Sequence, residues 1–360
     1  MFQVFPEDSD IAPSKRVKFG IDPTFPRLHL GHFVPLRLVQ KMIREGHQAT
    51  IVLGTFTAQL GDPSGRDTTR PILSENEVEK NADRILDQVC KLLGSPMKDF
   101  QVFKNGWVHN SMKVPEFFRL ASKFSLSHMT SRNAFAQRIE NNHPIALHEL
   151  LVPICQGFDS VHLKTEIEIG GQDQLFNFQV ARQMQEDAGQ KPQSCIMMPI
   201  IRGTDGRKMS KSLGNCIFLD ENPNDMFGQV MSIPDDVMEE WFPLLVDFTV
   251  EGDVHPMKKK LMLAAEVVSQ LHSAGIAVEA QAFFNKTVQN KELPDEIPVI
   301  SADTILDAIV AMDGCSKTAA RRLLEGGGIT IDGEKVHDEK VCLRSGQVVG
   351  RGKRTFAKIQ

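Results

Sequence analysis

The order of local elements near the start of this 360-residue chain restricts its fold more than any other feature. Val17 to Ile21, with β-branched residues at both ends, reads as a short strand. Asp22-Pro23-Thr24-Phe25-Pro26 follows, and its prolines demand a turn. Leu30 to Ile43 then carries apolar residues at helical spacing, and Ala49 to Leu53 is a second strand after the turn at Gly46. Strand, crossover helix and strand make the βαβ unit of a parallel sheet. In such a sheet a nucleotide site belongs where the loops leave the strand ends.

The same grammar returns downstream. Glu166 to Ile169 reads as a strand that ends at Gly170-Gly171 and leads into a helix from Gln174 to Glu186. Ile196 to Ile201 is a fourth strand, followed by the polar loop Arg202 to Gly214. Glu75 to Leu93 is helical, and Phe117 to Ile145 reads as helical and connecting. After Asp220 the periodicity is helical, punctuated by Pro223, Pro234, Pro243 and Pro256, as far as Leu271 to Phe284. The acid- and proline-rich stretch Glu292 to Ile300 marks a boundary. The expected class is α/β: a Rossmann-type parallel-sheet domain over 1–220 with a helical insertion over about 95–165, a helical domain over 221–295, and a small α+β domain over 296–360.

Composition excludes several classes. With 41% apolar and 24% charged residues the chain is neither disordered nor fibrous. Its apolar runs, such as Ile196 to Ile201, are too short to span a bilayer, and the acidic opening Glu7 to Asp10 does not resemble a secretory signal. A cytoplasmic protein without membrane contact is expected. The six cysteines form no CxxC pair and no zinc-spaced set, so free buried thiols and no protein-held metal are expected. Net charge is −5, yet Lys340 to Gln360 holds six Lys/Arg and no acid.

Two motifs carry chemistry. His29-Leu30-Gly31-His32 follows a strand and opens a helix, which places two imidazoles on one face near the open end of the sheet. They can donate hydrogen bonds to phosphate oxygens, and Gly31 lets a nucleotide approach the backbone. Lys208-Met209-Ser210-Lys211-Ser212, flanked by Gly206 and Gly214, is the stronger signal. Lysines three apart in such a loop can gather around the β- and γ-phosphates of ATP as charge builds on the leaving pyrophosphate.

Together, HLGH and KMSKS resemble the signature pair of class I aminoacyl-tRNA synthetases. Between them lie Gly61-Asp62-Pro63-Ser64-Gly65, Gln156-Gly157-Phe158-Asp159-Ser160 and Gly170-Gly171-Gln172-Asp173-Gln174. These blocks, in this order, resemble tyrosyl-tRNA synthetases, and the whole chain is similar to the second bacterial form of that family. The resemblance implies activation of tyrosine by ATP, with Mg²⁺ travelling with the nucleotide, and transfer to tRNA(Tyr). It also implies a homodimer with the insertion at its interface.

By that resemblance, Thr24, His29 and His32 hold the phosphates in the transition state, and Lys208 and Lys211 close over the pyrophosphate. Asp173 binds the ribose, and Gly171, Gly31, Met209 and Ser210 complete the ATP site. Gln156 and Gln174 surround the carboxylate and amino group of the amino acid; Asp62 and Thr57 receive its ammonium, and Asp22 lies near both substrates. Asp159 accepts a hydrogen bond from the phenol hydroxyl. A site that buries such a partner rejects phenylalanine, because the group left unpaired is costly.

The chain departs from the family in having no tyrosine at all, against 22 Phe. The family's tyrosine beside the substrate ammonium is Val152 here, Phe158 keeps a ring without the hydroxyl, and Lys18 stands where many relatives carry another hydroxyl contact. Two accounts compete. Selection for synthesis under tyrosine starvation predicts loss everywhere, which the sequence displays; a pocket refitted for a tyrosine analogue predicts loss confined to the pocket.

Ser301 to Gln360 resembles an S4-type RNA-binding domain, with Lys317, Arg321, Arg322, Lys353 and Arg354 facing tRNA phosphates. A non-catalytic RNA-binding regulator on the same fold is the alternative. Intact HLGH, KMSKS and GGQDQ speak against it, since a dead fold has no need of aligned histidines and phosphate lysines.

Overall fold

The computed structural model describes residues 2–60, 73–131, 133–250, 252, 254–290, 293, 297–352 and 355–360. They fall into two compact units: residues 1–220 with 239–244, and residues 221–238 with 245–360.

The first unit is built on a six-stranded sheet of β1 (Gln3–Phe5), β2 (Arg16–Ile21), β3 (Gln48–Leu53), β4 (Gln101–Lys104), β5 (Ile167–Gly171) and β6 (Ser194–Met198). Their spatial order is β1-β6-β5-β2-β3-β4. The strands from β2 to β6 run parallel, and β1 lies antiparallel on β6. The chain builds outward from β2 through β3 to β4, then returns to the other side of β2 for β5 and β6. The order thus reverses between β2 and β5, the place where ligands bind in such sheets. The expected strands all form, but β1 and β4 go beyond them, and β4 lies inside the stretch expected to be a helical insertion. Residues 106–140 are a series of short helices instead of one long connection.

Four helices matter for the site: α1 (Leu30–Arg44), α2 (Glu75–Leu93), α3 (Leu147–Leu163) and α4 (Leu175–Asp187). In α2, Ser74 caps Glu77 N and Glu77 reaches back to Ser74 N, which satisfies two otherwise orphaned donors. Val78, Ala82, Ile85, Val89 and Leu93 then recur at helical spacing, and all are buried. Ile51, Leu53, Ile167 and Ile169, in the central strands, are among the most enclosed side chains of the molecule, as expected when helices cover both faces of a sheet.

The second unit holds α5 (Pro223–Met231), α6 (Pro256–Leu271) and α7 (Ala274–Phe284), whose contact faces bury Phe227, Val267 and Phe284. It ends in α8 (Ile305–Asp313) and α9 (Lys317–Glu325) against a second sheet, β7 (Val299–Ile300), β8 (Ile329–Ile331), β9 (Glu334–Lys335), β10 (Val348–Arg351) and β11 (Thr355–Ile359). Ile305, Ile309, Leu324, Ile329, Val349 and Ile359 give this end a core of its own.

Candidate active site

The turn after β2 is braced from two sides. Gln88 on α2 accepts from Leu28 N through Oε1 and donates through Nε2 to the Pro26 carbonyl, both at 2.9 Å. Leu30 N donates to the Ile217 carbonyl and Leu219 N to that of Leu28, with His29 bridged to Phe218. The HLGH segment therefore lies antiparallel to the chain that leaves the KMSKS loop.

Both histidines cap α1. His29 Nδ1 accepts from Gly31 N at 3.1 Å, and His32 Nδ1 accepts from His29 N at 3.2 Å. With each Nδ1 acting as acceptor, the remaining imidazole proton is on Nε2, so both rings are neutral Nε2–H donors. Burial pushes His29 down to about 3, helped by the Lys211 ammonium. Burial, then His29, then Lys211 hold His32 well below the usual histidine range. A Cβ on Gly31 would stand 2.9 Å from His29 Cε1, and Met209 Sδ lies 3.8 Å from the same point. Only glycine fits between the ring and the backbone, and the KMSKS methionine comes to rest against it. Lys211 Nζ sits 5.1 Å above the Phe25 ring centre.

The KMSKS loop is held from within by Asn215, which is buried. Asn215 Oδ1 accepts from Ser210 N at 2.8 Å, while Nδ2 donates to the Lys208 carbonyl at 3.1 Å and to Asp205 Oδ1 at 2.7 Å. The Asn215 amide, and with it Arg207, keeps the Asp205 carboxyl down at about 2. Lys208 Nζ reaches Asp173 Oδ2 at the end of β5 at 3.2 Å.

Beyond the ends of β2, β3 and β4 a chain of side-chain hydrogen bonds runs from Asp22 to α3. Thr57 Oγ1 donates to Asp22 Oδ1 at 2.7 Å. Asn105 Nδ2 donates to Thr57 Oγ1 at 3.2 Å and to Asp159 Oδ2 at 3.1 Å, and His109 Nε2 lies 2.8 Å from Asp159 Oδ1. Gly54 makes this possible, since a Cβ there would fall 2.0 Å from Asp22 Oδ1 and 2.3 Å from Thr57 Oγ1. Nearby, Asn177 Nδ2 donates to Gln156 Oε1 at 2.8 Å and to Gln174 Oε1 at 2.7 Å, and its own Oδ1 is a buried acceptor with no partner among the described residues.

Residues 12–289 match the family model described as tRNA synthetases class I (W and Y). The chain belongs to this family. A tyrosine–tRNA ligase of Dehalococcoides mccartyi is 41% identical to this synthetase over 361 residues, covering 95% of this chain and 91% of that protein. One from Thermotoga maritima is 41% identical over 362 residues, covering 96% and 90%. Among solved structures, the C-terminally truncated mitochondrial tyrosyl-tRNA synthetase of Aspergillus nidulans aligns with TM-score 0.61 at 20% identity, covering 74% of this chain and 84% of that one. At that identity the likeness speaks for the fold alone.

The synthetase brings most of the sequence-derived residues together. Asp22, Thr24, His29, Gly31 and His32 follow β2, Thr57 follows β3, and Gly171 closes β5 with Asp173 and Gln174 just after it; Lys208, Met209 and Lys211 arrive from the KMSKS loop. Lys18 turns its ammonium inward, to Glu168 at 2.8 Å, Ser160 at 2.6 Å and the Gln156 carbonyl at 3.2 Å. Val152 is completely enclosed. Asp62, Lys353 and Arg354 lie outside the described residues. On α9, Lys317 pairs with Asp307 at 2.9 Å and Arg321 with Glu339 at 2.7 Å, and Arg322 is exposed. Asn105, His109, Asn177 and Asn215 are the residues that motif reading passes over. The hint in the sequence is only that polar residues follow the apolar pair Val102-Phe103 of β4.

Proposed function

We propose that this synthetase is a tyrosine–tRNA ligase. The tyrosine carboxylate attacks the α-phosphate of ATP and pyrophosphate leaves; the terminal adenosine hydroxyl of tRNA(Tyr) then takes the tyrosyl group and AMP leaves. The observation that carries the reading is the meeting of Met209 and Lys211 with the turn of His29, Gly31 and His32.

A helix N-terminus, two neutral Nε2–H donors and the KMSKS lysines form a field suited to a triphosphate whose charge is moving onto its leaving end. Thr24, His29 and His32 stabilise the phosphates, and Lys208 and Lys211 take the pyrophosphate. Gly31, Gly171, Met209 and Ser210 frame the nucleotide, and Asp173 takes its ribose. Gln156, Gln174 and the unpartnered Asn177 Oδ1 receive the amino-acid head with Asp22 and Thr57. Asp159 takes the phenol hydroxyl. No protein nucleophile is needed, because positioning and electrostatics suffice. Mg²⁺ enters with the ATP, whose phosphate oxygens and water are its ligands.

The second copy of a homodimer docks on the apolar surface of residues 107–147. Phe118 is 66% and Leu147 73% exposed there, and helix Val114–Ala121 buries none of its residues. Residues 221–295 form the anticodon-side domain and 296–360 an S4-like RNA-binding domain. No helix among the described residues is long and apolar enough to cross a membrane, and the enzyme works in the cytoplasm with its tRNA. Tyrosine-dependent ATP–pyrophosphate exchange tests the reading. Exchange with tyrosine and none with tryptophan is expected; absence of exchange with tyrosine overturns it.

A further inference from the structure

We propose that His109 is the positioning residue that gives this site its preference for a ring hydroxyl, acting through Asp159; the inference rests on Asp159 as the acceptor of that hydroxyl. His109 Nε2 lies 2.8 Å from Asp159 Oδ1, and the two side chains are 2% and 3% exposed. The other oxygen, Oδ2, accepts from Asn105 Nδ2 at 3.1 Å. A carboxylate in so dry a place has lost the water that would solvate its charge, and its neighbours must supply the hydrogen bonds instead.

Both neighbours are locked in place. Asn105 Oδ1 accepts from Phe56 N at 2.8 Å, which turns its amide nitrogen toward Thr57 and Asp159. The His109 ring stacks on Phe56 at 4.8 Å and 14°, and Phe158 meets it edge-on at 5.5 Å and 62°. The buried ammonium of Lys18 is committed to Glu168 and Ser160. His109 and Asn105 therefore supply the hydrogen bonds that keep Asp159 aimed, one on each oxygen. Each oxygen keeps a lone pair, so the carboxylate retains room for a third donor, which tyrosine carries and phenylalanine lacks. With His109 gone, Asp159 Oδ1 loses the partner that fixes it, the carboxylate can turn away from the ring hydroxyl, and the penalty against phenylalanine shrinks.

The test compares wild type, His109→Leu and His109→Gln in pyrophosphate exchange with tyrosine and with phenylalanine. His109→Leu is expected to raise the tyrosine KM about tenfold to a hundredfold, the size of a lost hydrogen bond to a charged group. It should leave kcat within about threefold and the ATP KM unchanged, and lower the tyrosine-to-phenylalanine ratio of kcat/KM by about tenfold or more. His109→Gln, which keeps a donor, should recover most of both. An unchanged ratio in the two variants overturns the proposal, and so does a Gln variant no better than Leu. Histidine ¹⁵N resonances of the wild type give a readout that needs no variant: the His109 Nε2 signal should move on adding tyrosine and not phenylalanine, and equal response to both overturns the proposal. A wild type that exchanges no pyrophosphate with tyrosine instead overturns the tyrosine reading itself, before any variant is made.

Discussion

Lys208 Nζ stands 3.2 Å from Asp173 Oδ2, so a lysine of the KMSKS loop rests on the acid at the end of β5. The side chains are 44% and 26% exposed, and pairs of that kind contribute about 0–1 kcal/mol. In the proposed site ATP would exchange this weak internal pair, ribose for lysine on one side and phosphate for aspartate on the other. Asp173→Asn should raise the ATP KM about tenfold, leave the tyrosine KM near wild type, and change unfolding free energy by less than about 1 kcal/mol. Exchange kinetics with each substrate varied, together with urea unfolding, check this; an unchanged ATP KM removes Asp173 from the ribose site.

The buried imidazoles predict a pH dependence with a definite sign. His29 falls from 6.5 to about 3 on folding, so between those values the unfolded chain binds the extra proton. Its contribution to stability is therefore full above pH 6.5 and is lost progressively as pH falls from there toward about 3. Exchange at saturating substrates should show no inflection from His29 between about pH 5 and 8. An inflection in that range that disappears in His29→Asn contradicts a neutral ring.

Val152 is enclosed completely and acts as core. Val152→Ala should cost about 1–3 kcal/mol of stability through the cavity it leaves, while the tyrosine KM stays within about threefold. Thermal unfolding and exchange kinetics check both halves. A large rise in KM without loss of stability places Val152 in the ammonium site after all.

On α9, Arg322 is exposed, and Lys317 and Arg321 sit in surface pairs that release easily. Arg322→Glu should weaken tRNA binding, and should lower the slope of log affinity against log salt by about one. Exchange activity should be unaffected. Filter binding across a salt series reads the first two effects, and an unchanged slope takes Arg322 off the RNA surface.

The sequence by itself determined the central strands, the flanking helices and the two motifs on which the proposed phosphate chemistry rests. Strands such as Gln48–Leu53 are buried on both sides from Ala49 onward and end in an apolar run, Ile51 to Leu53, and α1 and α2 carry their period over more than three turns. HLGH and KMSKS are legible because each is one continuous peptide whose chemistry sits in its own residue types. β1 and β4 are too short for periodicity to register, and they exist because a long strand elsewhere in the chain pairs with them.

Only the tertiary structure decided which buried polar atoms meet beyond the strand ends. His109 and Asp159 are 50 residues apart, Asn105 and Thr57 48, and no local pattern joins either pair. It also turned the Lys18 ammonium to Glu168 and enclosed Val152, and no local pattern announces either. Periodicity records whether a residue faces water or the core. Which buried polar group answers another depends on how the sheet twists and where its loops close, and those are set by the whole packed chain.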